Sequence, residues 1–353
     1  MPFAEPGCQS GPDVPSVPGA TGRLLRLGRV IGSLVLGAGL AFAAGAGPLA
    51  PRVFAAGPTL EAHALLQGHA RVGAWMAIEA TLSNDSEPVT GELRLAGGTQ
   101  GRTRFGTPVD LPTGSRKTYT LYVQPPAFGQ SLEVTLASDA GIVARAKVAF
   151  TVHDPTQLLA GVVAEHAAAI AGGIHLLPSA SGQGAALVAL DPADLPGRVE
   201  AWAPLDRIVW QDVDTSSLTP EQLEALRGWL AAGGRLTIAG GTSGPSELSG
   251  LPDDLLPFRP TATIDVPPES LAGLLGGLPT DASAIPGLAG GLVHGRALAT
   301  VGDRVVAAEM SYGSGSIAIV GFDPTVGWVG RTEAADRIWR RFLPARSGSS
   351  APT

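Results

Sequence analysis

Between residues 58 and 153 the apolar positions recur with a period of two. Trp75-Met76-Ala77-Ile78-Glu79-Ala80-Thr81-Leu82 alternates between two faces, and Ser83-Asn84-Asp85-Ser86 follows as a turn. The same alternation predicts strands over Thr90–Leu95, Arg116–Val123, Ser131–Ala137 and Ile142–Val152, separated by clusters of Gly, Pro, Asn and Asp. Short strands at that spacing, with no long helical pattern between them, predict an all-β sandwich. Tyr119, Leu121, Val123, Val134 and Leu136 are expected in its core together with Trp75, while Lys117, Thr118 and Thr120 turn to water.

After His153-Asp154-Pro155 the pattern changes. Leu158–Ala164, Ala185–Leu190, Arg207–Trp210 and Arg235–Ala239 are continuous apolar runs, the signature of strands covered on both faces. A short Ala-rich helix is expected from about Glu165. Thr219-Pro220-Glu221-Gln222 opens the best helix in the chain: Thr219 caps, Pro220 suits the first helical position and Gln222 completes a capping box. Leu223, Leu226, Trp229 and Leu230 form its apolar stripe, and Gly233 stops it. Strand, helix, strand with short links means parallel pairing by crossover. Ala297–Val301 and Val305–Met310 read as a hairpin across Gly302-Asp303, followed by a strand over Ser316–Val320 and a closing helix over Ala334–Phe342. The expected architecture is therefore two domains. An all-β sandwich over 58–153 precedes a doubly wound α/β domain over 155–345 with an antiparallel extension, and residues 346–353 read as a disordered tail.

Residues 1–56 carry a different signal. A polar, disordered lead-in ends at Arg23, Arg26 and Arg29, and Val30 to Ala50 then holds no charge. A basic start, an apolar run and the small-residue site Ala41-Phe42-Ala43 fit a secretory signal. Left uncleaved, the same run is long enough for a transmembrane anchor, which makes the membrane an expected partner. Either way the remainder is expected outside the cytoplasm, in the cell envelope or secreted.

Composition narrows the chemistry. The chain has 353 residues and a net charge of −7, which excludes nucleic acid as an expected partner. Its one cysteine, Cys8, lies ahead of the apolar run and excludes a disulfide framework and thiol catalysis further on. The six histidines form no metal-ligand spacing.

At fold level the amino-terminal strands resemble the Ig-like spacer modules of bacterial surface proteins. In the carboxy-terminal half, Leu205-Asp206-Arg207-Ile208-Val209-Trp210, Leu218-Thr219-Pro220-Glu221-Gln222, Trp229-Leu230, Gly233-Gly234 and Arg235-Leu236-Thr237-Ile238 are followed by Tyr312–Ile317 and Gly321-Phe322-Asp323-Pro324. Together these resemble class I glutamine amidotransferase-like domains, and more closely the exported, membrane-associated bacterial versions that stand behind a β-sandwich. The resemblance covers residues 155–343. It implies a nucleophilic cysteine at the turn after a central strand, with a His–Glu pair. Here that turn reads Ala239-Gly240-Gly241-Thr242-Ser243, so amidotransferase catalysis is not expected.

Ligands of open α/β sheets bind beyond the carboxyl ends of the strands. The residues expected there are Asp191, Asp212, Asp214, Gly240, Gly241, Thr242, Ser243 and Asp323. Four converging carboxylates would suit Ca²⁺ or Mg²⁺. In the competing reading each carboxylate serves its own turn, as Asp191-Pro192 and Asp323-Pro324 suggest. The Gly240–Gly244 loop lacks phosphate-loop spacing, so no nucleotide is expected. No cofactor motif is present, and Ser243 with His294 falls short of a hydrolase triad. The functional expectation is a non-catalytic extracytoplasmic protein that binds a protein partner or a small ligand. The alternative is a cation-dependent hydrolase built on the aspartates.

Overall fold

Alternation in the first half produces strands at each of the five places where it predicts them. In the computed structural model, which describes residues 57–97, 103–176, 184–240, 245–325, 327–330 and 333–344, nine strands precede residue 154. They are β1 (Thr59–Ala64), β2 (His69–Arg71), β3 (Met76–Asn84), β4 (Val89–Gly97), β5 (Thr103–Leu111), β6 (Ser115–Val123), β7 (Ser131–Ser138), β8 (Gly141–Ala149) and β9 (Thr151–His153). A three-stranded sheet β1-β3-β6 and a four-stranded sheet β5-β4-β7-β8 bury their alternate residues in one core, where Ile78, Leu82, Leu93, Leu95, Leu111 and Leu136 are fully enclosed. Trp75 sits half-buried, edge-on to Phe105.

A mixed α/β region follows: β10 (Leu159–Ala164), α1 (Ala167–Gly173), β11 (Ala186–Leu190), β12 (Arg207–Gln211), α2 (Pro220–Ala231), β13 (Arg235–Ala239), β14 (Phe258–Val266), α3 (Ala272–Leu275), β15 (Ile285–Leu292), β16 (Arg296–Val301), β17 (Arg304–Tyr312), β18 (Gly315–Val320), α4 (Gly327–Gly330) and α5 (Glu333–Phe342). The strands form one nine-stranded sheet in the order β11-β10-β12-β13-β18-β17-β15-β14, with β16 also on β17. β11, β10, β12, β13 and β18 run parallel; the remainder pair antiparallel. The parallel strands are apolar throughout because both of their faces are covered. Ile208, Trp210 and Ile238 enter the core on one face with Leu226, Trp229 and Leu230 of α2, whereas Val162, Val209 and Val320 enter the other with Trp339 and Phe342 of α5.

Helix α2 starts where its capping box places it. The Thr219 hydroxyl accepts from the Gln222 N–H at 3.2 Å, and Gln222 Oε1 accepts from the Thr219 N–H at 2.9 Å. Gly233, with φ of +118°, reverses the chain into β13 as an L side chain could not do cheaply.

Three features depart from the predicted layout. The predicted strand Ile142–Val152 breaks at Phe150, whose N–H donates to Gln130 O, and Thr151 and Val152, together with His153, pair in parallel with β2 instead. β1, β2, β5, β14 and β15 lie in stretches where no strand is predicted. The expected transmembrane anchor is withdrawn: among the described residues no helix is long and apolar enough to cross a membrane, and α2, the longest, has 12 residues. Val30 to Ala50, on which that expectation rested, lie outside the described residues.

The two regions meet through apolar contacts, those of Leu65 and Ala77 with Ala201 and of Leu66 with the α/β core, and through polar ones. Arg71 of β2 forks onto Asp206, Nη2 to Oδ2 at 2.7 Å and Nη1 to Oδ1 at 3.2 Å, and also donates to Gln157 O. His69 and His153 stack with 2.6 Å between Nδ1 and Nε2, and Gln67 donates to Asp194. Burial beside His153 pushes the His69 imidazole down to about 4, so it is neutral at physiological pH.

Two substitutions test these assignments by denaturant unfolding of the full chain. Thr219→Ala removes the cap of α2 and is expected to cost about 1 kcal/mol. Arg71→Met strands a buried carboxylate and is expected to cost about 3–5 kcal/mol, whereas Arg71→Met/Asp206→Asn costs less than the sum of the two single changes. Additive losses would mean that the pair is not coupled.

Candidate functional site at the carboxyl edge of the parallel strands

Parallel strands put all their carboxyl ends on one edge, so the residues that follow β10, β11, β12, β13 and β18 become neighbours. They are Glu165 and His166, Asp191, Asp212, Gly240, and Asp323 three residues beyond β18. Two crevices open there. One, of about 870 Å³, is lined by Asp191, Asp212 and Asp214 with Glu79 of β3, Glu165 and the start of α2. The other, of about 450 Å³, is lined by Asp212 and Asp323 with Glu165, His166, Gln211 and the apolar walls of α1 and α5. Asp191 and Asp214 thus share one crevice, Asp323 belongs to the other, and Asp212 borders both. Gly241, Thr242 and Ser243 lie outside the described residues.

The carboxylates are used in different ways. Asp191 Oδ1 accepts from the Ala193 N–H at 2.9 Å, in a capping box whose other half is Asp194. Asp214 Oδ1 accepts from the Ser216 N–H at 2.8 Å and from Ser249 Oγ at 3.3 Å, bonds that hold its carboxyl below the usual range. Asp323 Oδ1 accepts from both the N–H and the hydroxyl of Thr325, at 2.7 and 2.6 Å. These three behave as turn acceptors. They do not converge on one ion: among the described residues no group of three His, Cys, Asp or Glu side chains is placed to hold a metal.

Asp212 differs. Its φ of +54° puts a non-glycine residue in the left-handed region at the end of β12. Its N–H donates to Glu247 Oε1 at 2.8 Å, and its Oδ2 receives Gln211 Nε2 at 3.4 Å. Glu247 is 1% exposed, and its Oε2 has no hydrogen-bond partner. Burial, followed by the neighbouring charge of Asp212, pushes the Glu247 carboxyl up to about 8, so it is protonated at neutral pH. A Cβ at Gly240 would stand 2.2 Å from Glu247 Oε2, so any larger residue there has to displace that buried carboxyl.

Glu165, Gln211 and Glu247 were missed as site residues. The first two directly end predicted apolar runs, and the strand-end rule that selected Asp212 reaches them as well. Glu247 gave no such signal, because it comes from the segment after Gly244 and reaches the edge only through the fold. His294 follows β15, with its N–H donating to Pro257 O.

The family model that matches this chain is described as a domain of unknown function (DUF8726) and covers residues 57–151, the mostly β region. No curated protein sequence matches. Among solved structures, a cytoplasmic protein from Salmonella typhimurium LT2 is 13% identical over 54% of this chain and 100% of its own, with a TM-score of 0.40. The CARDB domain of a Pyrococcus furiosus protein, solved with di-metal ions, is 16% identical over 27% of this chain and 86% of its own, with a TM-score of 0.20. A catalytic mutant of a GH42 β-galactosidase from G. stearothermophilus is 11% identical over 47% of this chain; the chain spans 27% of that enzyme, with a TM-score of 0.28.

The raised Glu247 carboxyl makes stability depend on pH with a definite sign. The folded state holds a proton that the unfolded chain releases near the ordinary glutamate value. The contribution is therefore complete below that value and is lost as pH rises towards about 8. Glu247→Gln, an isostere of the protonated acid, is expected to flatten this decline and to be the more stable protein at pH 8 by a few kcal/mol. Parallel stability–pH curves for the two proteins would show that Glu247 is not the group responsible.

Proposed function

We propose that this chain is an exported, non-catalytic binding protein. In this reading an Ig-like β-sandwich carries a degenerate class I amidotransferase-like α/β domain, which takes a protein partner or a small ligand at the carboxyl edge of its parallel strands. The observation that carries the reading is the use of the edge carboxylates: Asp191, Asp214 and Asp323 each engage donors of their own turn beside open crevices. That leaves a shaped, acidic surface on which, among the described residues, the carboxylates do not converge as a metal-assisted hydrolase needs. The two small sheets over one core support the Ig-like assignment, and the parallel order β11-β10-β12-β13-β18 supports the amidotransferase-like one. The absence of any cysteine beyond Cys8 supports loss of that family's chemistry. Export is supported by Arg23, Arg26 and Arg29 ahead of the uncharged stretch from Val30 to Ala50.

A second reading, a cation-dependent hydrolase, has one observation in its favour. Asp212 is backbone-strained and lies against a buried, protonated Glu247, a combination more common at catalytic centres than elsewhere. One experiment separates the two. The purified chain is expected to show no turnover on panels of p-nitrophenyl esters, glycosides and amides, with or without Ca²⁺ or Mg²⁺. Turnover that disappears in Asp212→Asn would establish the hydrolase instead.

A further inference from the structure

The boundary between the two regions holds two imidazoles in contact. His69 of β2 and His153 of β9 stack with ring centroids 4.9 Å apart and 2.6 Å between Nδ1 and Nε2. A third side chain settles which ring donates. Gln157 Nε2 donates to Gly184 O at 3.1 Å, so its Oε1 faces His153 Nδ1 at 3.0 Å and takes a hydrogen bond from it. A neutral His153 then has a lone pair at Nε2, and the bridging proton belongs to His69 Nδ1. A gap of 2.6 Å between two nitrogens has room for one proton. The pair therefore keeps its bridge with one positive charge but not with two. A second proton sets N–H against N–H and puts like charges ring on ring.

The charged groups around the pair do not offset that second charge. Among the described residues neither ring bonds to a carboxylate. Arg71, opposite His153 in the register of β2 and β9, adds a positive charge and engages Asp206. Asp154 accepts from the N–H and the hydroxyl of Thr156, and Asp194 accepts from Gln67 and the Asp191 N–H. His63 of β1 and Lys147 of β8, on adjoining strands, are exposed, and β11 carries no titratable residue.

We propose that the His69–His153 pair is an acid-sensitive latch between the mostly β region and the α/β region. It is closed while one proton bridges the rings, and it opens when both rings are charged. The chain runs from His153 through Gln157 into β10, so repulsion in the pair acts on the same join as Arg71 and Asp206. The latch is independent of what the crevices bind. Its sign follows from His69, which burial and His153 hold at about 4 against an ordinary 6.5. The unfolded chain takes up a proton that the folded chain refuses. Stability that is complete above the ordinary histidine value is thus lost as pH falls towards about 4.

Denaturant unfolding of the full chain at pH 7 and pH 4 tests the latch. His69→Asn puts an amide N–H in place of Nδ1–H and does not titrate. Glu247 shifts stability the other way over part of this range, so the comparison is between proteins that both keep it. The ratio of the wild-type unfolding constant to that of His69→Asn is expected to rise about 100-fold from pH 7 to pH 4. If His69→Asn does not fold, His153→Gln takes its place. There the expected rise is about three- to ten-fold, because the burial of His69 remains. Asp154→Asn, beside the pair but exposed, is expected to follow the wild-type pH dependence to within about three-fold. A ratio that stays level or falls would overturn the latch, and so would Asp154→Asn behaving as His69→Asn does.

Discussion

Asp206 is the residue on which the rest of the arrangement depends. Its carboxylate receives Arg71 from β2 and the Leu159 N–H at the start of β10, while its backbone N–H donates to Leu159 O and its carbonyl accepts from Arg235 N at the start of β13. One residue thus sets the level at which three parallel strands begin and joins them to the mostly β region. A buried ion pair of this kind adds little net stability over an apolar substitute, but it penalises any arrangement that separates the charges. Its effect here is positional. Because β10, β12 and β13 start level, they also end level: Ala164 stands beside Gln211, and Gln211 beside Ala239. Glu165, Asp212 and Gly240 are therefore adjacent as a consequence of register, and the crevices follow from it.

At that edge the backbone decides what each acid can do. A carboxylate that caps its own turn is held by the donors of that turn, as Asp191, Asp214 and Asp323 are. Glu247 reaches the edge from outside the sheet, lies under Gly240 and receives one backbone N–H, too little to keep a buried carboxyl charged. Asp214, held below the usual carboxylate range, and Glu247, pushed well above it, thus differ in protonation although their chemistry is nominally the same. The edge is acidic, yet it is not a metal cradle among the described residues.

Much of the parallel sheet was legible because its determinants are local. Five apolar runs, the Thr219–Gln222 capping box and Gly233 fix β10 to β13, α2 and β18 within a residue or two. The strands that escaped notice have physical reasons to do so. β5 contains Gly106 and Pro108, and β14 contains Pro260; both are edge strands, where a missing N–H is tolerated and the alternation is weak. β15, with three glycines, offers little pattern to read. The site was legible in the same proportion. Asp191, Asp212, Gly240 and Asp323 lie at the strand ends that the apolar runs mark, but no local rule reveals which carboxylates a turn will engage, or that Glu247 would be buried beneath the edge.

The central claim is that the junction at Asp206 makes the mostly β region and the parallel sheet one cooperative structure. Hydrogen exchange of the full chain in mild denaturant tests it directly, followed at the amides of β2 and β9 and at those of Leu159 and Arg235. The account predicts that these amides lose protection together, at one denaturant concentration. Release of β2 and β9 while Leu159 and Arg235 stay protected would contradict it, because the sheet would then hold its register without the contact from Arg71.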